Sequence, residues 1–277
     1  MTITDDDLAI FEATGPPPLP ESTRQGHVQH DGARLWYATY GSGPAVVLLH
    51  GGLGNSGNWG YQVPALLASG YQAIVIDSRG HGRSTTDGRP YSYARMASDV
   101  RAVIDELHLK RAAIVGWSDG ATIGWFVAMD APDRVAGLFF FGSNLDMSGV
   151  KDPFDASVLV DRCFSRHARD YKSLSSTPEN FGPFVQAVSL MMQSEPNFAA
   201  EELAAMSVPV AIVRSEHDEF IERSHAEYLA RTIPNAHLVV LPEVSHFAPL
   251  QRPDQFNSAM LAFLGQVCTL ESEPRRK

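Results

Sequence analysis

The sequence predicts an α/β protein with a doubly wound, mostly parallel sheet, interrupted by a helical insertion, and three observations lead there. Short apolar runs rich in β-branched residues recur along the chain: Ala45–Leu49, Gln72–Ile76, Ala112–Val115, Val135–Phe141, Val210–Arg214 and Leu238–Leu241. Runs that are apolar throughout, rather than alternating, belong to strands covered on both faces. Segments of helical periodicity separate most of them, as parallel pairing with crossover helices requires. The third observation is local. The run Ala112–Val115 passes through Gly116-Trp117-Ser118-Asp119-Gly120 directly into an apolar, helix-type stretch, Ala121 to Met129. With 277 residues, 44% of them hydrophobic and 19% charged, the chain can build one large core.

In chain order, residues 1–25 contain Gly15-Pro16-Pro17-Pro18-Leu19-Pro20 and are expected to form an extended or disordered arm. Residues 26–145 and 206–268 are expected to form the core, with a helical lid over 146–205. The core opens on a hairpin, His27–His30 and Arg34–Tyr40, turning at Asp31-Gly32. Strand Ala45–Leu49 then runs into the glycine-rich loop His50-Gly51-Gly52-Leu53-Gly54-Asn55, whose backbone N–H groups can approach a ligand closely. A helix from about Trp59 to Ala68 and strand Gln72–Ile76 lead to Asp77-Ser78-Arg79-Gly80-His81-Gly82-Arg83-Ser84. That loop lacks the spacing and the lysine of a phosphate-binding loop. A helix over Tyr93–Leu107 precedes the Ser118 strand, and Val135–Phe141 follows it.

Between about Asp146 and Ala205 the alternation stops. Helical pieces broken by Pro153, Pro178, Pro183 and Pro196 carry Phe154, Phe164, Phe181, Phe184, Met191, Met192 and Phe198. Following a strand whose carboxyl end faces the crevice of such a sheet, this insertion is expected to lie above Ser118, most of its aromatic and methionine side chains forming its own core. The sheet resumes at Val210–Arg214, then a helix around Glu222–Thr232, strand Leu238–Leu241 and a final helix from Pro253 to Val267. The tail Glu271–Lys277 is polar.

Gly116-Trp117-Ser118-Asp119-Gly120 is a G-x-S-x-G sequence, and its placement between strand and helix gives it meaning. A chain that turns so abruptly strains the backbone at Ser118, and the flanking glycines vacate the space it needs. A serine hydroxyl is a poor nucleophile near neutrality, so it requires a base and a group to orient that base. Both candidates stand where strands end: His246 after the last strand and Asp218 after the one before. The order serine, acid, histidine is the one expected for such an elbow. Asp146 is the rival acid, and Glu216 and Glu219 are expected to be solvated. His50, His81 and His217 also stand near strand ends, but His50 and His81 precede Ser118 and sit in tight glycine loops, where hydrogen-bonding roles are commoner.

From about His27 to Val267 the chain resembles lidded, single-domain esterases and lactonases of the α/β-hydrolase fold. The resemblance rests on His50-Gly51-Gly52, the Asp77–Ser84 loop, Gly116–Gly120, Glu216-His217-Asp218-Glu219-Phe220 and Ser245-His246. It implies Ser118 as nucleophile, His246 as general base and Asp218 as its orienting acid. It further implies an oxyanion hole at the backbone N–H groups of Gly52 and Asp119, with Leu53 as the alternative to Gly52, and a structural role for Asp77–Ser84. The charged Asp119 departs from the neutral residue familiar at that position. Its side chain is expected to turn away while its N–H stays in place.

The reaction implied is hydrolysis of a small carboxylic ester through an acyl-enzyme, with no metal or organic cofactor. An enol-lactonase or carbon–carbon bond hydrolase would use the same triad, and a slow-turnover ligand-binding receptor or partner protein could keep the same fold. Dehalogenase and epoxide hydrolase chemistry is disfavoured, since in this fold it uses an aspartate at the elbow. A formal net charge of −10 disfavours nucleic acid and anionic membranes as partners. The expected partner is a small ester or lactone, and a homo-oligomer is compatible with the composition. Cys163 and Cys268 are too far apart in sequence for a zinc motif and read as buried, reduced thiols. The acidic start and the lack of a long apolar run make the cytoplasm the expected location.

Overall fold

The computed structural model describes residues 6–268. Its first element corrects the expected arm: Asp6–Thr14 form a helix, α1, with Leu8 and Phe11 fully buried. The proline run excludes helix only from its own positions. Upstream of it, nine residues too short to reveal a period are stabilised by packing rather than by propensity. Gly15, at φ +80°, closes α1 by donating its N–H to the Phe11 carbonyl. Residues 1–5, and the polar tail from Glu271, lie outside the described residues.

The hairpin follows as β1 (Arg24–His30) and β2 (Ala33–Tyr40), with Asp31 and Gly32 at positive φ as a two-residue turn of this kind demands. Next come β3 (Ala45–Leu49), α2 (Gln62–Ala68), β4 (Gln72–Ile76), α3 (Tyr93–Glu106), β5 (Ala112–Trp117), α4 (Asp119–Asp130) and β6 (Val135–Phe141). The insertion contributes α5 (Val158–Leu174), α6 (Phe181–Ser194) and α7 (Ala200–Ala204). The chain then completes β7 (Val210–His217), α8 (Arg223–Thr232), β8 (Ala236–Ser245), α9 (Ala248–Gln251) and α10 (Pro253–Cys268). Strands β7 and β8 run further than their apolar runs suggest, because the added residues pair with each other up to His217 and Ser245.

These strands form one eight-stranded sheet in the order β1-β2-β4-β3-β5-β6-β7-β8. The first two pairings are antiparallel and the others parallel. Alternation along each central strand divides the core into two layers. Val47, Leu49, Ile114 and Phe140 face the side of α3, α4 and α8, while Val46, Leu48, Val115 and Phe141 face that of α2 and α10. After β3 the chain moves out to β4 and then returns past β3 to β5. The loops after β3 and β5 therefore leave in opposite directions and open a crevice at the carboxyl edge.

The insertion is anchored to the segment after β7 and to α1. Val150 bridges to Ile221, Lys151 donates its Nζ to the Asp218 carbonyl at 2.7 Å, and α1 packs along α5 with Glu12 3.2 Å from Arg162. Cys163 and Cys268 are buried free thiols. Among the described residues no helix is long and apolar enough to cross a membrane.

Candidate active site

Ser118 stands between β5 and α4 at φ 54°, ψ −125°, a conformation that side chains rarely adopt. Its surroundings account for the flanking glycines. A Cβ on Gly116 would come within 2.4 Å of the Ala121 backbone, and one on Gly120 within 2.0 Å of the Leu49 carbonyl oxygen. The turn is thus wedged between its own helix and the end of β3. The Ser118 N–H donates to the Phe141 carbonyl at 2.8 Å, fixing the elbow to β6.

Asp218 and His246 are brought together by strand register. His217 pairs with Ser245 across β7 and β8, so the next residue of each strand emerges beside the other. His246 Nδ1 lies 3.0 Å from both Asp218 carboxylate oxygens. Asp218 Oδ1 also accepts the N–H groups of Phe220 and Ile221, each at 3.0 Å. Both side chains are buried, which alone would disfavour their charged forms. In Asp218 the His246 charge and these hydrogen bonds overcome burial and lower the pKa. In His246 the Asp218 charge and hydrogen bond overcome it and raise the pKa above 6.5.

Two further residues complete this arrangement, one that the sequence reading did not single out and one that it assigned to solvent. Gly142, directly after β6 at φ 61°, is close enough that a Cβ would lie 3.2 Å from the His246 ring and 3.3 Å from Asp218. Its only sequence signal is a glycine ending an apolar run. Glu219 was expected to be solvated and is instead 4% exposed, accepting the His246 N–H at 2.9 Å and the Ser157 hydroxyl at 3.3 Å. A carboxylate adjacent to a buried pair is drawn inward by donors that approach from 27 residues away in one case and from the insertion in the other. Glu216 is exposed, as expected.

Ser118, His246, Gly52, Leu53 and Asp119 line one cavity of about 190 Å³, together with Tyr93, Trp117, Ser143 and residues of the insertion. No hydrogen bond joins the Ser118 hydroxyl to His246 among the described residues. His246 is therefore bonded to Asp218 and not to Ser118. As the first residue of α4, Asp119 has an N–H with no acceptor inside the helix. Leu53 sits at φ +64°, and a Cβ on Gly52 would meet Met192 at 2.2 Å and Asp119 Oδ2 at 2.7 Å. Of the insertion's phenylalanines and methionines named above, Phe164 and Met192 reach the cavity.

The Asp119 side chain does not leave the site. Its Oδ1 accepts the Tyr93 hydroxyl at 2.7 Å, while Oδ2 is buried without a partner. Burial pushes its pKa up to about 6, against the opposing effects of the Tyr93 hydrogen bond and the His246 charge. The remaining candidates are placed elsewhere. Asp146 accepts the Ser148 N–H and lies 3.9 Å from His225, not beside His246. His50 accepts the Ser78 N–H on Nε2 at 3.0 Å and uses Nδ1 on the Gly51 carbonyl, both local bonds. His81 bonds to the Arg79 carbonyl, and His217 is partly exposed. Asp77 holds the loop it begins, accepting the N–H groups of Ser56 and Arg83.

Comparison with known proteins gives the same architecture. The serine hydrolase BPHL of Mus musculus is 26% identical over 247 residues, covering 84% of this chain and 84% of its own. A non-heme haloperoxidase of Rhodococcus erythropolis is 27% identical over 271 residues, covering 84% of this chain and 97% of its own. The solved structure of Est816, described as an N-acyl homoserine lactone degrading enzyme, matches with a TM-score of 0.69 and 28% identity, covering 86% of this chain and all of that one. The model of the alpha/beta hydrolase family matches residues 46–259, and the chain belongs to that family.

Proposed function

We propose that this protein is a serine hydrolase that cleaves a small, partly apolar carboxylic ester through an acyl-enzyme. The observation that carries the reading is the buried Asp218–His246 pair opening onto the same cavity wall as a serine held at φ 54°. Because Asp218 engages Nδ1, Nε2 of His246 is the nitrogen free to take the Ser118 proton as Oγ attacks the ester carbonyl. The oxyanion that forms is met by the Asp119 N–H and by that of Gly52 or its neighbour Leu53. Collapse expels the alcohol, protonated by His246. Water activated by the same imidazole then releases the acid and restores Ser118.

A lactone is the second substrate class. It requires the same attack, and the likeness to Est816 favours it. The two are separated by their products, since a lactone opens to one hydroxy acid without a separate alcohol.

The test pairs a fluorophosphonate with a panel of p-nitrophenyl esters and lactones. Mass spectrometry is expected to find the label on Ser118, and Ser118→Ala is expected to lower kcat on the order of 10⁶-fold, the scale for loss of a serine nucleophile. The base must be unprotonated, and its pKa is raised, so the acidic limb of kcat/KM is expected above pH 6.5. Full turnover by Ser118→Ala would sink the reading. Ligand binding without turnover, indifferent to Ser118→Ala, would point to a receptor instead.

A further inference from the structure

The insertion contributes four apolar residues to the cavity wall, Val150, Phe164, Val188 and Met192, together with the small polar Ser189. His167 of α5 breaks this pattern. It lines the cavity at 5% exposure and makes no hydrogen bond to any described residue; Nδ1 is sealed off, and Nε2 is the nitrogen that keeps access to the cavity. Buried imidazoles normally have their nitrogens satisfied, as His50 does on both sides here. His81 also leaves one nitrogen unpartnered, but it does not line the cavity.

His167 also packs against α1. The Phe11 ring of α1 meets it edge-on at a centroid distance of 6.1 Å, and on the same helix Arg166 pairs with Asp170 at 2.7 Å. Burial, with nearby His50 and Arg166, pushes its pKa down to about 3, so the ring is neutral at any ordinary working pH. A neutral imidazole offers one N–H and one lone pair and has no charge with which to attract an anion. The ligand chemistry that suits it is an uncharged hydrogen-bonding group on an otherwise apolar chain.

We infer that His167 is a specificity-determining residue, a subsite on the insertion that recognises an uncharged hydroxyl or carbonyl group of the substrate distinct from the scissile ester. The assignment rests on the cavity being the substrate pocket, as proposed above. Selectivity then comes from Nε2, the nitrogen with access to the cavity: a chain without a polar group leaves it unpaired, and one that carries such a group satisfies it.

The test uses p-nitrophenyl esters of equal chain length in which a hydroxyl or keto group replaces successive methylenes. The full-length protein is expected to prefer at least one polar member to the all-alkyl parent in kcat/KM. That preference should fall about tenfold in His167→Phe and be largely retained in His167→Gln, which keeps a donor and an acceptor. A preference unchanged in His167→Phe, or lost equally in both variants, would overturn the assignment. So would a protein with no preference for any polar member. Calorimetric binding of chain-matched, non-hydrolysable ketones in a Ser118→Ala background reads the subsite without turnover. Ketone binding that depends on residue 167 while no ester is cleaved supports the subsite and removes only the esterase reading. Ketone binding indifferent to residue 167 removes the subsite.

Discussion

Asp119 follows Ser118 directly, and its carboxyl remains at the cavity wall with one oxygen on Tyr93 and the other unpartnered. With a pKa of about 6 it is mostly charged near neutrality, and in the reaction proposed above it would oppose the negative charge that develops on the ester carbonyl. Asp119→Asn keeps the shape, the backbone N–H and an acceptor for Tyr93, and removes the charge. It is expected to raise kcat/KM for uncharged esters about fivefold at pH 7 to 8, the ratio that ~1 kcal/mol gives. Below pH 6 the wild-type carboxyl is itself protonated, so the ratio of variant to wild type should approach one as the pH falls. Paired pH profiles measure this, and a ratio of one throughout would mean that the carboxylate does not influence the oxyanion. The sequence made the strained strand-to-helix turn at Ser118 and the anomaly beside it legible. It did not reveal that Asp119 stays in the site, because its partner Tyr93 is 26 residues away on another helix.

At the scale of elements, α1 is where sequence and structure part most clearly. Leu8 and Phe11 are buried, and the helix lies along α5, joined to it by Glu12 with Arg162. Phe11→Ala is expected to cost about 3–5 kcal/mol while α1 stays docked. Because a terminal helix can detach locally, earlier proteolysis of the amino-terminal segment should accompany the lower urea midpoint. An unchanged midpoint and digestion pattern would show that α1 does not brace α5. Its nine residues are not legible as a helix because their stability comes from surfaces far along the chain. By contrast β3, β5 and β6 were legible almost to the residue, since a strand covered on both faces writes its burial into every position. The insertion was legible only as helical, because its proline breaks mark where segments stop but not which side chains turn towards Ser118.

For the molecule as a whole, the antiparallel edge is tied to the parallel core through Arg79, only 1% exposed. Its guanidinium forms a two-pronged pair with Asp99 of α3, at 2.6 and 2.9 Å, and donates to the Asp31 carbonyl of the β1–β2 turn at 2.9 Å. Burial raises the pKa of Asp99 even with Arg79 beside it, as expected for a charge removed from water. Asp99→Ala leaves the guanidinium buried without its main partner and is expected to lower global stability by about 3–5 kcal/mol, read from urea unfolding. A loss below ~1 kcal/mol would place the pair among surface-like bridges. The sequence predicted that Asp77–Ser84 has a structural role only through resemblance. What it could not supply was the α3 partner, since any of several carboxylates has the right chemistry and only the packing selects one.

The same stretch that carries Asp218 also carries the seams to the insertion: the Lys151 bond to its carbonyl, the Val150–Ile221 bridge, and Glu219 shared between Ser157 and the His246 backbone. Anyone who exchanges this cap for that of another hydrolase, hoping to transplant substrate preference alone, would cut through the mounting of the histidine. A workable chimaera has to take its splice beyond residue 221, so that cap and Asp218 travel as one cassette.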